Sequence, residues 1–455
     1  MIRSLVLCIF GFLIALLCTP WVIRLSKTRS VGLDVANQSR KRHKEPISRL
    51  GGLPVLIALT AGLVVIFFMH PSRRFEWMPI LLGALLMFSL GLWDDLKHLP
   101  ARWKFGGQIA IASLVYWMGL SIDRVSYANA SWDVELGHVG SYLVTVFWLI
   151  SVPNIINLID GFDGLAGGLG LFMSATLGIV AIFSQQLPEA WFAFTMAGGL
   201  LGFLVFNFPP ARIFLGDGGA YLIGFCIAAL SLKSSNKGAV ASVLLVTVVA
   251  LGVPILDTTF ALMRRAFRGF PLFHSDDEHI HHRLEDLGFS KRRVLLAIYG
   301  ICVVLSLMAL SIFWSQGRTI PIAIGVIFLL AAFAARYLQY IRSWGDMRRQ
   351  FGRVISRRKT VRYALLQAEL LDMEIDRCRD AEEFWPVFHQ TLYRVGFAEA
   401  PVGSKDKYVV IHVQSGSEWW TLLAPGNADT IGEWKRLAEC FGPVYRKAMV
   451  KWKQP

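Results

Sequence analysis

Residues 153–170 read PNIINLIDGFDGLAGGLG, and Asn154, Asn157, Asp160 and Asp163 recur there at every third position. On a helix, residues three apart share a face, so Asn157 can sit beside Asp160. Each further step of three rotates the side chain by about 60°, so Asn154 and Asp163 cannot face one point from a single straight helix. Gly161, Gly164, Gly167 and Gly168 permit a break after Asp160. Gly167 and Gly168 equally suit close packing of helices in a membrane. Apolar sequence flanks the segment on both sides, and carboxylates at such a boundary are functional by default.

Three other stretches carry comparable chemistry. GLWDDLKHLPARWKFGGQ holds Asp94, Asp95, Lys104 and Gln108. Adjacent carboxylates repel and call for a cation or a basic partner, unless they merely cap a helix. Lys104 is a compact point charge suited to a lipid phosphate. FNFPPARIFLGDGGAYLIGF sets Asp217 between glycines just before an apolar run. It reads either as a helix N-cap or as a hard oxygen ligand for Mg²⁺, which takes one or two protein ligands plus phosphates and water. HSDDEHIHHRLEDLGFSKRR contains His274, His279, His281, His282 and Arg283. With no cysteine nearby and no i,i+4 histidine pair, a zinc site fits poorly. A cationic, hydrogen-bonding loop for a pyrophosphate fits better.

The elements that position these groups follow from hydropathy. The 455-residue chain is 55% hydrophobic and 17% charged, with mean hydropathy +0.50. A soluble chain would be about 25% charged. The pattern predicts an all-α polytopic membrane protein with eleven spans. They fall at roughly 4–23, 51–69, 77–92, 105–120, 142–157, 165–184, 191–208, 220–232, 239–262, 294–314 and 319–341. The first run has no small-x-small cleavage site and reads as an uncleaved helix. Six scattered cysteines form no CxxC pair and read as small buried hydrophobes.

Charge sets the orientation. The loops at 24–50, 93–104, 209–219 and 263–293 hold about nineteen Lys and Arg, and the alternate loops about seven. The basic set is therefore expected inside, with the N-terminus outside and the C-terminus in the cytoplasm. The net charge of +14 follows this topology and anionic headgroups, which argues against nucleic acid as a partner. Asp94, Asp95, Asp160, Asp163, Asp217 and the histidine cluster all fall on that one side.

Taken in order, DDLKHLPARWKFGGQ, NIINLIDGFDGLAGG, FLGDGG and HIHHRL resemble the polyprenyl-phosphate N-acetylhexosamine-1-phosphate transferases. GLDVANQSRKRHKEPISRLGG is similar to that family's first cytoplasmic loop, and the resemblance spans roughly residues 1–340. It implies a bacterial inner-membrane enzyme with its active site on the cytoplasmic face. Such an enzyme moves N-acetylhexosamine-1-phosphate, most simply GlcNAc-1-phosphate, from a UDP-sugar to undecaprenyl phosphate, with UMP leaving. The HxHH form resembles the branch that starts O-antigen, enterobacterial common antigen or teichoic acid linkage, within lipopolysaccharide and cell-wall biosynthesis. The resemblance assigns Mg²⁺, with Mn²⁺ as a substitute, to Asn157 and Asp217. It gives catalytic roles to Asp94, Asp95, Asp160 and Asp163, and substrate contacts to Lys104, Gln108, Asn154, His279, His281, His282 and Arg283. Membrane lipids and a second copy of the chain are further expected partners.

Two rivals are weighed. A transporter would gather its ionisable groups at the midplane, often within repeats, and none is visible here. An alcohol phosphotransferase would add an arginine and later aspartates to the DG-rich segment, which DGFDGLAGG lacks.

The domain boundary is expected at 342, separating a membrane domain (1–342) from a cytoplasmic accessory domain (343–455). VRYALLQAELLDMEIDRC reads as an amphipathic helix, KYVVIHVQ and EWWTLLAP as strands, and TIGEWKRLAECFGPVYRKAMVKW as a closing helix. This predicts a small α+β unit that regulates the enzyme or docks a partner of unknown identity. His389 and His412 stand alone in it and read as structural.

Overall fold

The computed structural model describes residues 2–34, 46–126, 133–235, 240–252, 255–256, 259, 288–315, 317–337, 344–397, 408–415, 418–425 and 431–452. The chain divides into two compact units, the second of which takes in everything from Ile341 onward.

The described part of the first unit is a bundle of helices. They are α1 (Ile2–Arg29), α2 (Gly52–Met69), α3 (Arg74–Lys97), α4 (Ala101–Trp117), α5 (Gly137–Ile159), α6 (Leu165–Phe183), α7 (Leu187–Asn207), α8 (Gly216–Ser235), α9 (Val240–Ala250), α10 (Lys291–Trp314) and α11 (Ile320–Tyr337). Seven apolar stretches among the described residues are long enough to cross a membrane: α1, α2, Pro71–Lys97, α5, α6, α7 and α10. The other expected crossings coincide with α4, α8, α9 and α11, which are not among those seven. The chain is thus a multi-pass membrane protein, while the count of eleven and the orientation stay expectations.

Small residues bring the helices together. A Cβ on Gly198 of α7 would lie 1.9 Å from the Cys8 carbonyl oxygen of α1, and one on Gly202 would lie 2.4 Å from that of Phe12. The two backbones touch there, as small-xxx-small packing in lipid requires. The core is built around Trp77, Trp191, Phe192, Phe203 and Phe225, while Leu5, Leu13, Leu17 and Trp21 of α1 point outward. None of the six cysteines forms a disulfide; Cys226, Cys302, Cys378 and Cys440 are buried as expected, while Cys8 and Cys18 are only half-buried.

One expectation needs correction. Asp94 and Asp95 do not follow the third span in a loop; they lie within the last turn of α3. The helix outlasts the apolar run because the Asp94 carboxylate accepts the N–H of Leu99 at 2.7 Å, just beyond His98 in the left-handed region at φ 50°. The opposite end of α3 is tied differently, with Arg73 on Glu189 at 2.9 Å and Lys233 on Glu76 at 3.1 Å.

In the second unit α12 (Trp344–Arg377) is far longer than the predicted amphipathic segment and absorbs the basic stretch before it. A further helix, α13 (Ala381–Val395), was not anticipated, although its start is well signalled. Asp380 caps it by accepting from Glu383 N at 2.9 Å, and the Glu383 carboxylate returns to Arg379 N at 3.0 Å. The pair resembles a capping box, with the returning carboxylate taking the N–H one residue before the cap. The two strands form as expected, Tyr408–Ser415 pairing antiparallel with Glu418–Pro425. The single closing helix is in fact two, α14 (Ile431–Glu439) and α15 (Gly442–Trp452). The break falls where Cys440 and Phe441 turn inward to the core. Trp420 stacks on Tyr445 at 4.8 Å over Phe388 and Phe441 in that core.

Candidate active site

The site forms where the ends of α3 and α5 meet the starts of α4, α6 and α8. Lys104, one turn into α4, places its ammonium on the Asp94 carboxylate and 3.5 Å from Asp217. Asn157, in the last turn of α5, donates to the other oxygen of Asp217 at 2.9 Å. Four residues predicted from three separated motifs therefore share one point. Asp94 is only 4% exposed, so its charge is balanced by Lys104 rather than by water.

Asp95 faces elsewhere. Its two oxygens accept the N–H groups of Asp217 and Gly218 at 3.1 and 3.0 Å, capping the first turn of α8. The approach is possible because Gly91 has no side chain: a Cβ there would lie 2.5 Å from the Asp217 backbone.

Asp160 ends α5. Desolvation, then the charges of Asp217 and Asp95, push its carboxyl well above the usual carboxylate range. Such a group is waiting for positive charge.

Asp163 belongs to a different edge, as helical geometry required. It accepts from Ala211 N at 3.3 Å and lies 3.7 Å from the Lys291 ammonium. Asn154 and Gln108 pair with each other at 2.7 Å, one turn deeper along α5 and α4. Gln108 is 1% exposed, which suits a wall of the site better than an open contact. His279, His281, His282 and Arg283 lie outside the described residues.

The loop carrying Asp217 is stitched to the first loop. Phe214 N donates to Ser48 O at 2.7 Å, and Gly51 N and Gly52 N donate to Phe214 O and Leu215 O, each at 2.9 Å. Arg49, held by Asp34 at 2.8 Å, adds positive charge near Asp95 and Asp160.

Several contributors were missed from the sequence. Asn207 ties two motifs: its Oδ1 accepts from Gly164 N at 3.0 Å while its Nδ2 donates to Ile213 O at 2.8 Å. Tyr299 of α10 donates to Gly164 O at 2.6 Å. Lys291 and Arg49 read as topology charges. An amide at the very end of an apolar helix, as Asn207 is, was the one available signal.

Among the described residues no three His, Cys, Asp or Glu side chains form a cage that would hold a metal alone. The arrangement of Asp217, Asn157 and the charge-starved Asp160 suits instead a hard cation that shares its shell with substrate phosphates.

The sequence profile of glycosyl transferase family 4 matches residues 77–235, which include every candidate residue outside the histidine cluster. A Bacillus subtilis protein named probable undecaprenyl-phosphate N-acetylglucosaminyl 1-phosphate transferase is 35% identical over 333 residues, covering 73% of this chain and 90% of the relative. A decaprenyl-phosphate N-acetylglucosaminephosphotransferase of Mycobacterium tuberculosis is 35% identical over 71% of the chain and 86% of its own length. A phospho-N-acetylmuramoyl-pentapeptide-transferase of Listeria welshimeri is 28% identical over 65% of the chain and 93% of its own length.

Proposed function

Because the chain belongs to glycosyl transferase family 4, we propose that it transfers N-acetylhexosamine-1-phosphate from a UDP-sugar to undecaprenyl phosphate, releasing UMP, with Mg²⁺ as cofactor. GlcNAc-1-phosphate is the favoured group, since two of the relatives carry N-acetylglucosamine in their names. The product would start a lipid-linked glycan of the bacterial cell envelope, on the cytoplasmic side of the inner membrane.

The observation that carries this reading is the Lys104 ammonium held between Asp94 and Asp217, with Asn157 on Asp217's second oxygen. The reaction joins two anions, a lipid phosphate and a pyrophosphate, so it needs positive charge at a membrane edge. Asp217 and Asn157 would hold Mg²⁺, with Asp160 drawn into ionisation beside them. Bound there, the ion supplies charge neutralisation and lines up the phosphates.

The residues divide the remaining work. Lys104 receives the lipid phosphate on its open side while Asp94 remains its counter-charge, and Asp94 thereby orients the ammonium toward the incoming group. A phosphate monoester has its second pKa near about 6, so it is largely dianionic at pH 7 and needs no dedicated base. The lipid phosphate oxygen attacks the sugar-bearing phosphorus in a single displacement, and the bond to UMP breaks. Asp95 holds the start of α8 in place throughout, and Asn154 with Gln108 closes the wall below.

The test is UMP release from a panel of UDP-N-acetyl sugars with undecaprenyl phosphate, with and without Mg²⁺. Turnover is expected only with both lipid phosphate and metal, and fastest with UDP-GlcNAc. A labelled phosphosugar trapped on the enzyme without lipid acceptor would replace single by double displacement. Transport of a UDP-sugar without UMP release would end the reading.

A further inference from the structure

The Gly164 peptide groups are gripped from both sides by Asn207 and Tyr299, neither of which is among the candidate site residues. Gly164 takes φ 80°, a left-handed conformation that ends the DGFDG turn and starts α6. Its N–H is taken by buried Asn207 at 3.0 Å, and its carbonyl by the Tyr299 hydroxyl at 2.6 Å. The Tyr299 ring lies where Gly168 leaves room: a Cβ on Gly168 would come 2.0 Å from the hydroxyl oxygen. Phe172 supports the ring edge-on at 5.3 Å.

Tyr299 is not an isolated contact. On the same helix, Arg292 Nε donates to Pro209 O at 2.9 Å, and Lys291 lies 3.7 Å from Asp163 and 5.8 Å over the Phe162 ring. Helix α10 thereby docks on the turn carrying Asp163 and on the Pro209 segment beside it. Along the chain, α10 also begins eight residues after Arg283, the last of the candidate donor-contact residues.

We infer that Tyr299 is a positioning residue for the transfer reaction: by fixing the Gly164 carbonyl it sets the backbone next to Asp163. It couples that aspartate to the helix that follows the histidine-rich segment. This inference rests on the proposed transfer only for its turnover readout. A plain packing role for Tyr299 would affect folding but not the rate per folded molecule.

The decisive variant is Tyr299→Phe, which keeps the ring and removes only the donor. One lost hydrogen bond of ordinary strength predicts a fall in kcat of about three- to tenfold. The KM for polyprenyl phosphate should stay within twofold. In the Asp163→Asn background the same change should have little further effect, the double variant staying within twofold of Asp163→Asn alone, because coupled residues are non-additive. Hydrogen exchange gives a readout free of turnover: amides of residues 160–168 should exchange faster in Tyr299→Phe. Full additivity of the two changes, or a loss of thermal stability with unchanged kcat, would overturn the inference. So would unchanged exchange at 160–168, and that measurement decides the point even if the wild type turns over no UDP-sugar and the donor reading falls.

Discussion

The two carboxylate oxygens of Asp95 accept the backbone N–H groups of Asp217 and Gly218, at 3.1 and 3.0 Å. One candidate catalytic residue thus caps the helix that carries a candidate metal ligand. Asp95→Ala should lower kcat at least tenfold and also lower the thermal midpoint in detergent, since losing an N-cap costs about 0.5–2 kcal/mol. Measured together, the two readouts are diagnostic. Lost activity with an unchanged midpoint would mean that Asp95 acts on substrate directly.

Lys104 is the cation shared by Asp94 and Asp217. Lys104→Met should reduce kcat/KM for the lipid acceptor by about 10²-fold or more, the scale of one transition-state charge contact. Lys104→Arg should recover only part, because a planar fork does not replace a compact ammonium between two carboxylates. Steady-state kinetics at varied polyprenyl phosphate measures both. Equal loss at the donor KM alone would place Lys104 on the wrong substrate.

Asp160 predicts how metal and pH interact. Its raised carboxyl means the metal-free fold binds this proton more tightly than the unfolded chain does. Its contribution to metal-free stability is therefore present at low pH and lost as pH rises from the ordinary Asp range, near 3.9, through the raised folded value. Mg²⁺ competes with the proton, so the Mg²⁺ concentration giving half-maximal rate should rise as pH falls. EDTA should abolish turnover, and Mg²⁺ or Mn²⁺ should restore it. Asp160→Asn should flatten the pH dependence of the metal requirement; an unchanged slope would detach Asp160 from the metal.

Gly91 carries no chemistry, yet a Cβ on it would overlap the Asp217 backbone. Gly91→Ala must push α3 from α8, costing about 1–3 kcal/mol as overpacking does. Activity should fall more than stability, since the shift moves Asp217 relative to Lys104. A fully active, equally stable variant would show that these helices part freely.

The second unit has its own core around Phe388, Trp420, Phe441 and Tyr445. A chain ended after residue 342 should keep UMP release within about threefold, as expected where the removed segment has a core of its own. Loss of turnover by a truncated protein that is normally expressed and folded would make residues 343–455 part of the enzyme.

What the sequence determined by itself was chemical identity and periodicity. Apolar runs announce membrane helices because buried backbone in lipid has few alternatives. The three-residue spacing of Asn154, Asn157, Asp160 and Asp163 already implied that the outer two could not serve one point, and they do not: Asn154 reaches Gln108 and Asp163 the N–H of Ala211, while Asn157 and Asp160 both lie by Asp217. The runs KYVVIHVQ and EWWTLLAP likewise revealed the second unit's strands. The split between α14 and α15 was hidden, because Cys440 and Phe441 look like a continuing helix until a core takes them in.

Only the tertiary structure decided which carboxylate does what. Adjacent in sequence, Asp94 and Asp95 point to different partners, one to an ammonium and the other to the start of α8. Tyr299 looked like one more ring in a greasy span until Gly164 and Gly168 received it. Residue type and spacing limit what a side chain can offer. Which group receives the offer depends on helices far apart in the chain, and no local pattern encodes that.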